Sequence, residues 1–126
     1  EKLGIQNNVI VHAGFVDKHK VKYYFCAADL VAQPYLSATQ SGVTQIAYHF
    51  GSPMLVTNVG GLPEMVPHNK VGYVCDVSAD SIANAIDSFY QEDKGAEFAE
   101  NIVEERKRFQ WDVFAKEIIQ MTSLSI

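Results

Sequence analysis

The chain has 126 residues, 48% of them hydrophobic, and a formal net charge of −5 at pH 7. This size and composition suit one globular domain with a buried core, and only four prolines and eight glycines argue against a long disordered tract. An acidic chain without a basic stripe lacks the electrostatic footprint of a phosphate-backbone binder, so nucleic acid is not an expected partner.

The first part of the chain predicts two strands with a helix between them. Residues 8–12 are a run rich in β-branched side chains, which is typical of a strand. Asp17 can cap the helix that follows. The short apolar run at 30–32, which is stopped by Pro34, predicts the second strand.

The later elements follow the same alternation of strand and helix. First come a helix at 42–50 closed by Gly51 and strands at 54–57 and 71–75. A helix capped by Ser78 follows, and its core-facing positions are Ile82, Ile86, Phe89 and Tyr90. Helices at 96–108 and 111–123 end the series. This alternation predicts an α/β fold with a parallel sheet and right-handed crossovers. Residues 1–126 read as a single α/β unit, and the start at Glu1 without a methionine indicates an excised piece of a longer protein.

Neither the cysteines nor the histidines form a pattern that binds metal. Cys26 and Cys75 lie about fifty residues apart in apolar settings, so both are expected to be buried, reduced thiols. The four histidines share no metal-ligand spacing, and neither a P-loop nor a dinucleotide-binding glycine motif is present. No metal and no cofactor are therefore expected.

No stretch approaches the roughly 18 apolar residues that span a membrane, and no segment reads as a signal peptide. The expected location is the cytoplasm, with the inner membrane surface as an alternative for the intact protein.

Six segments resemble, in order and spacing, those of the group 1 (retaining, GT-B) glycosyltransferases. They are His12-Ala-Gly-Phe-Val16, Phe25-Cys-Ala-Ala-Asp29 with Gln33-Pro34, Gly51-Ser-Pro53, Gly60-Gly-Leu-Pro-Glu64, Gly72-Tyr-Val74 and Phe109-Gln-Trp111. The resemblance implies a Rossmann-like parallel sheet with flanking helices, namely part of the C-terminal domain that holds the sugar nucleotide. It implies a separate N-terminal domain for the acceptor, and a fragment that is inactive alone.

The resemblance also implies a strand order of 3-2-1-4-5-6. Residues 8–12 would then form the third strand, separated from the later strands by two that lie upstream. An exposed sheet edge would result, and such an edge favours self-association.

The family carries two glutamates eight residues apart, which contact the donor sugar and the ribose. Counting back from Gly51, the matching positions hold Ala38 and Ile46. Neither side chain is acidic, so these two roles cannot be carried over to this chain.

Ser41 and Gly42 begin the helix at 42–50, and a helix N-terminus offers unpaired N–H groups and a partial positive charge to a diphosphate. We therefore take Ser41, Gly42 and Gln45 as candidate substrate-binding residues. For Ser41 the alternative is that it only caps the helix. For Gln45 the alternative is a place on the solvated helix face.

Two glycine-containing loops complete the candidate site. Gly60 and Gly61 provide either positive φ or close approach of a ligand to the backbone, and the resemblance places them beside the donor sugar. Gly14 and Phe15 match the segment that builds the base site in the family, although Phe15 is equally well explained as core. Glu64 in the first turn of a helix favours a structural role.

The resemblance implies a glycosyltransferase that moves a sugar from a nucleotide-diphosphate sugar to a carbohydrate or lipid-linked acceptor, as in polysaccharide biosynthesis. The loss of both acidic positions keeps open a degenerate, non-catalytic domain used for binding or assembly. A domain of the sugar-nucleotide epimerase kind shares the architecture but explains Phe109-Gln-Trp111 less well.

Overall fold

The computed structural model describes residues 3–39 and 41–109. In chain order its elements are α1 (Val21–Ala27), β1 (Val31–Gln33), α2 (Gly42–Phe50), β2 (Met54–Thr57), α3 (Leu62–Met65), β3 (Gly72–Cys75), α4 (Ala79–Gln91) and α5 (Gly95–Glu105). Three 3₁₀ turns accompany them, at Gln6–Asn8, Lys18–Lys20 and Arg106–Phe109. The predicted helix at 111–123 lies outside the described residues.

The three strands form a parallel sheet in the order β1-β2-β3, as the alternating pattern predicts. Val31 of β1 pairs with Met54 of β2, and Met54 pairs in turn with Gly72 of β3. All four residues of the central strand β2 are buried, which explains why its sequence is continuously apolar before Thr57. The predicted α/β architecture is therefore confirmed.

The core lies on both faces of β2. Met54 and Val56 belong to a cluster that includes residues of α2, α3 and α5, whereas Leu55 points into a second cluster with residues of β3, α4 and α5. Alternate residues of a strand point to opposite faces, so a short strand covered by helices on both sides produces this division. The result is the three-layer arrangement of a doubly covered parallel sheet.

The predicted strand at residues 8–12 is wrong. The chain forms a 3₁₀ turn at Gln6–Asn8, and the residues after it belong to no strand. Val9 has extended backbone angles, yet Ile10 and Val11 are 84% and 79% exposed. The β-branched side chains favour extended backbone, but a strand also needs a hydrogen-bonded neighbour, and no described strand pairs with this segment.

Helix ends follow the sequence signals in two cases and depart from them in a third. Gly51 ends α2 with φ of 70°, and the Ser78 side chain accepts a hydrogen bond from the Ser81 amide at the start of α4. Asp17 makes no side-chain cap, because a 3₁₀ turn at Lys18–Lys20 intervenes before α1 begins.

Two residues expected inside are at the surface. Tyr90 is 58% exposed, and its hydroxyl donates to Asp29 Oδ2 at 3.3 Å rather than packing in the core beside Phe89. Cys75 is buried as predicted, but Cys26 is exposed on α1, and both thiols are free.

Within residues 3–39 and 41–109, none of the helices has the length and apolar character that crossing a membrane requires.

Candidate functional site at the carboxyl edge of the sheet

Parallel strands end at one edge of a sheet, and here β1, β2 and β3 end at Gln33, Thr57 and Cys75. Residues 34–39, which we name the β1–α2 loop, follow β1 and precede Ser41, the N-cap residue of α2. Residues 58–61, which we name the glycine loop, follow β2. In open α/β sheets ligands bind outside this edge, so these two loops define the place to search.

A buried hydrogen-bonded triad anchors the start of α2 to the end of β1. Ser41 Oγ donates to Gln33 Oε1 at 2.7 Å, and Thr44 Oγ1 donates to the same oxygen at 3.2 Å. All three residues are buried: Gln33 is 3% exposed, Ser41 7% and Thr44 0%. The Gln33 carboxamide therefore holds both the residue before α2 and its first turn.

This triad decides what the Ser41 side chain does. Ser41 occupies the N-cap position with extended backbone angles, but its side chain makes no capping hydrogen bond to the helix. The interpretation of Ser41 as a simple side-chain cap is therefore wrong, because its oxygen accepts no hydrogen bond from an amide of α2 and its hydroxyl donates to Gln33. The helix amides that a capping side chain would have occupied stay free of it.

The other half of the Gln33 carboxamide is unsatisfied. Its Nε2 atom is buried and has no hydrogen-bond partner among the described residues. A buried donor without a partner costs about 1–3 kcal/mol. This group is at the sheet edge where the ligand site is expected.

The glycine loop supports the β1–α2 loop through backbone contacts. The Gly61 amide donates to Thr39 O at 2.9 Å. A Cβ atom added to Gly60 would lie 1.6 Å from Ala38 O, and one added to Gly61 would lie 2.7 Å from Thr39 O. Gly60 also has φ of +53°, so the alternative of positive φ is confirmed for this glycine. The backbone that approaches the glycine pair closely is this chain's own, and approach of a ligand stays a prediction.

Thr57 adds a further support from the end of β2. Its side chain is fully buried, and its Oγ1 donates to Tyr35 O at 2.6 Å. The β1–α2 loop is therefore held near its start by Thr57 and further along by Gly61. These two hydrogen bonds tie the loop before α2 to the end of β2 and to the glycine loop.

The first turn of α2 is suited to an anion. Its opening residue Gly42 is exposed, and a Cβ added there would meet nothing within 4 Å. No acidic side chain lies in this turn. The first amides of any α-helix lack intrahelical acceptors and carry the positive end of the dipole, so this nine-residue helix presents donors at the sheet edge.

Gln45 lies one turn further along α2 and is exposed, as the solvated-face alternative expected. It lines an open cavity of about 460 Å³ together with Tyr48, His49, Arg106 and Phe109. Arg106 Nη1 donates to His49 O at 3.4 Å across this cavity. None of the cavity's lining residues belongs to the β1–α2 loop or the glycine loop.

Tyr48 closes the inner side of that cavity. Burial raises the pKa of the Tyr48 hydroxyl to about 12, although the nearby Arg108 guanidinium acts in the opposite direction. The hydroxyl donates to Met65 O, so it joins α2 to the end of α3. This tyrosine is a neutral structural donor at physiological pH.

Gly14 and Phe15 line a different cavity of about 480 Å³, which also includes His12, Lys20 and Tyr24. Phe15 is 92% exposed, so the alternative that it forms part of the core is wrong. The structure does not place these two residues beside the α2 N-terminus, since the cavity has no lining residue from the two loops there.

The positions that match the family's glutamates contribute no charge. Ala38 and Ile46 are both half-buried, and Ala38 packs against the main core cluster. Glu64 is exposed in the first turn of α3, and its backbone carbonyl accepts from Arg108 Nη2 at 3.1 Å. Over the described ranges, no three His, Cys, Asp or Glu side chains are arranged to hold a metal ion.

Sequence reasoning missed Gln33, Thr44 and Thr57. A signal was available, because Gln33 and Thr57 are polar residues that end otherwise apolar strands. The spacing between Ser41 and Thr44 also places both hydroxyls on the same side of the helix start. The hydrogen-bonding partner of each residue lies too far away along the chain to be recognised from neighbouring residues.

Comparison with known proteins agrees with this architecture. A family model described as glycosyl transferases group 1 matches residues 1–109. An uncharacterized glycosyltransferase of Methanocaldococcus jannaschii is 32% identical over 131 aligned residues, which cover 99% of this chain and 33% of that protein.

Two solved structures share the fold. Sucrose-phosphate synthase from Thermosynechococcus elongatus has a TM-score of 0.79 at 23% identity, covering 95% of this chain and 32% of its own. Anabaena HepE in complex with UDP has a TM-score of 0.70 at 24% identity, with 79% and 29% covered. The chain spans about a third of the length of these relatives, and the likeness confirms the Rossmann-like fold of the GT-B type.

Proposed function

Because the chain belongs to the group 1 glycosyltransferase family, we propose that it is the donor-binding part of an enzyme that transfers a sugar from a nucleotide-diphosphate sugar. The acceptor is a carbohydrate or a lipid-linked carbohydrate, bound largely by another domain of the same protein. The process is polysaccharide biosynthesis in the cytoplasm or at the inner membrane surface.

The N-terminus of α2 is the observation that carries this proposal. It is held at the carboxyl edge of the sheet by Gln33, Thr57 and Gly61, and it has no acidic residue in its first turn. A rigid helix N-terminus stabilises a diphosphate through its free amides and its dipole, without rearrangement of charged side chains. Anabaena HepE, which shares the fold, has been solved with UDP and with UDP-glucose.

A non-catalytic binding or assembly domain is the second candidate, and the two positions Ala38 and Ile46 favour it. Both are half-buried and apolar, so they can neither hydrogen-bond to a sugar nor stabilise a developing positive charge. The diphosphate site at α2 does not depend on them. A protein of this kind would bind the nucleotide and fail to turn over the donor.

Binding and turnover by the intact protein separate the two candidates. The experiment titrates UDP-, GDP- and ADP-sugars by calorimetry and follows release of the nucleoside diphosphate with and without an acceptor extract. Saturable binding with turnover supports the transferase. Binding without turnover for every donor supports the second candidate, and no binding by the folded protein contradicts both.

A further inference from the structure

The Gln33 carboxamide is asymmetric in its hydrogen bonding. Its oxygen accepts from Ser41 Oγ and Thr44 Oγ1, which fixes the plane of the amide against the first turn of α2. Its nitrogen carries two N–H donors and is buried without a partner in the described part of the chain. The acceptor half of the carboxamide therefore has two partners, and the buried donor half has none.

The same contacts limit what else can donate at this site. Each hydroxyl has a single proton, and the protons of Ser41 and Thr44 are both directed to Gln33. Neither hydroxyl can therefore donate to a ligand while the triad is intact. Within the triad, the donor that remains is the Gln33 Nε2 group, which adds to the backbone amides of the first turn of α2.

We propose that Gln33 Nε2 donates a hydrogen bond to an anionic phosphate oxygen of the nucleoside diphosphate bound at the N-terminus of α2. The proposal rests on the proposed function and assigns one of its contacts to a side chain. Because Nε2 is covered in the ligand-free chain, the contact requires a small shift of the β1–α2 loop on binding. A ligand oxygen then satisfies the donor that is unpaired in the free protein.

Charge favours a phosphate oxygen over a neutral sugar hydroxyl as the acceptor. The first turn of α2 contains no acidic residue, and the positions at which the family has glutamates hold Ala38 and Ile46. The positive end of the α2 dipole lies at this point, and it attracts an anion. A neutral carboxamide adds a donor there without adding charge.

Two variants in the intact protein test the contact. Gln33→Met keeps the length of the side chain and removes both donors together with the acceptor for Ser41 and Thr44. Gln33→Glu keeps that acceptor, removes both donors and introduces a negative charge. The probes are UDP, GDP and ADP, each compared with its nucleoside. We expect Gln33→Met to weaken diphosphate binding by about tenfold to a hundredfold, and Gln33→Glu to weaken it more. Affinity for the nucleoside should change little in either variant.

Ser78→Ala is the matched control, because it removes the side-chain cap of α4 and lowers stability without touching Gln33. It should leave the ratio of diphosphate to nucleoside affinity unchanged. An unchanged ratio in Gln33→Met would overturn the proposal and leave Gln33 as a purely structural anchor.

A measurement on the unaltered protein covers the case in which a variant does not fold. Nuclear magnetic resonance detects the side-chain NH₂ group of Gln33 directly, and we expect its signals to shift when UDP, GDP or ADP saturates the site. Diphosphate binding with these signals unmoved overturns this proposal alone. Absence of any diphosphate binding overturns the proposed function together with it.

Discussion

Substitution of Gly60 by alanine tests whether the glycine loop holds the β1–α2 loop. The added Cβ would lie 1.6 Å from Ala38 O and 2.6 Å from Ala38 C, so the two backbones would have to separate by more than an ångström. Gly60 also has φ of +53°, which costs a residue with a Cβ about 1–2 kcal/mol. Overpacking adds about 1–3 kcal/mol, so we expect a total destabilisation of roughly 2–5 kcal/mol.

Urea unfolding of the protein and its Gly60→Ala variant measures the loss of stability. Calorimetry with UDP, GDP or ADP measures whether the affinity for a diphosphate at the start of α2 has changed. We expect diphosphate affinity to fall, because the loop that leads into α2 is displaced. Gly14→Ala is the stability control, since its Cβ would meet nothing within 4 Å and its φ is not positive. Equal stability of Gly60→Ala and the unaltered protein would refute the argument from close approach.

Three further substitutions test individual contacts. Thr57→Val removes the hydrogen bond to Tyr35 O at constant shape and should lower the free energy of unfolding by about 1 kcal/mol, whereas no change would show that the contact contributes nothing. Ser78→Ala removes the cap on the Ser81 amide and should also cost about 1 kcal/mol in urea unfolding; a loss below a few tenths would contradict the cap. Tyr48 has a folded-state pKa of about 12 against 10.0 in the unfolded chain. The stability that its neutral hydroxyl gives the folded protein is therefore complete below pH 10 and is lost as the pH rises towards 12. Roughly 2–3 kcal/mol of stability should disappear over that range in the unaltered protein but not in Tyr48→Phe, and parallel pH curves for the two proteins would contradict the shift.

The elements that could be predicted are those whose signals are local. The strand β2 is a short apolar run between turn residues, and α2 is an amphipathic segment closed by Gly51 in the left-handed region. Both depend on the properties of adjacent residues, so the sequence alone indicates them. The cap of α4 by Ser78 is a signal of the same kind.

The failures concern partners that are distant in sequence. Residues 8–12 have the composition of a strand, but pairing requires a neighbour that no described segment provides. The glycine pair was recognised as special, yet its contact with the backbone of Ala38 and Thr39 is about twenty residues away along the chain. Gln33 was missed because the two hydroxyls that define its role reach it only after α2 packs on β1.

The position of α2 was predicted correctly, whereas the hydrogen bonds at its start were not. The N-terminus of α2 lies at the sheet edge, as the α/β pattern implies, and Gly42 is open to a ligand. Ser41 does not donate there, since its proton is used within the triad. Ligand binding stays a prediction for all the candidate residues, namely Ser41, Gly42, Gln45, Gly60, Gly61, Gly14 and Phe15.

The central claim is that a nucleoside diphosphate binds at the N-terminus of α2, and backbone hydrogen exchange tests it most directly. Exchange is measured with and without saturating UDP, GDP or ADP in the intact protein. We predict slower exchange of the amides of Gly42, Val43 and Thr44, with no change across Gly95–Glu105 of α5. Protection of another surface, with the first turn of α2 unaffected by a bound diphosphate, would contradict the account.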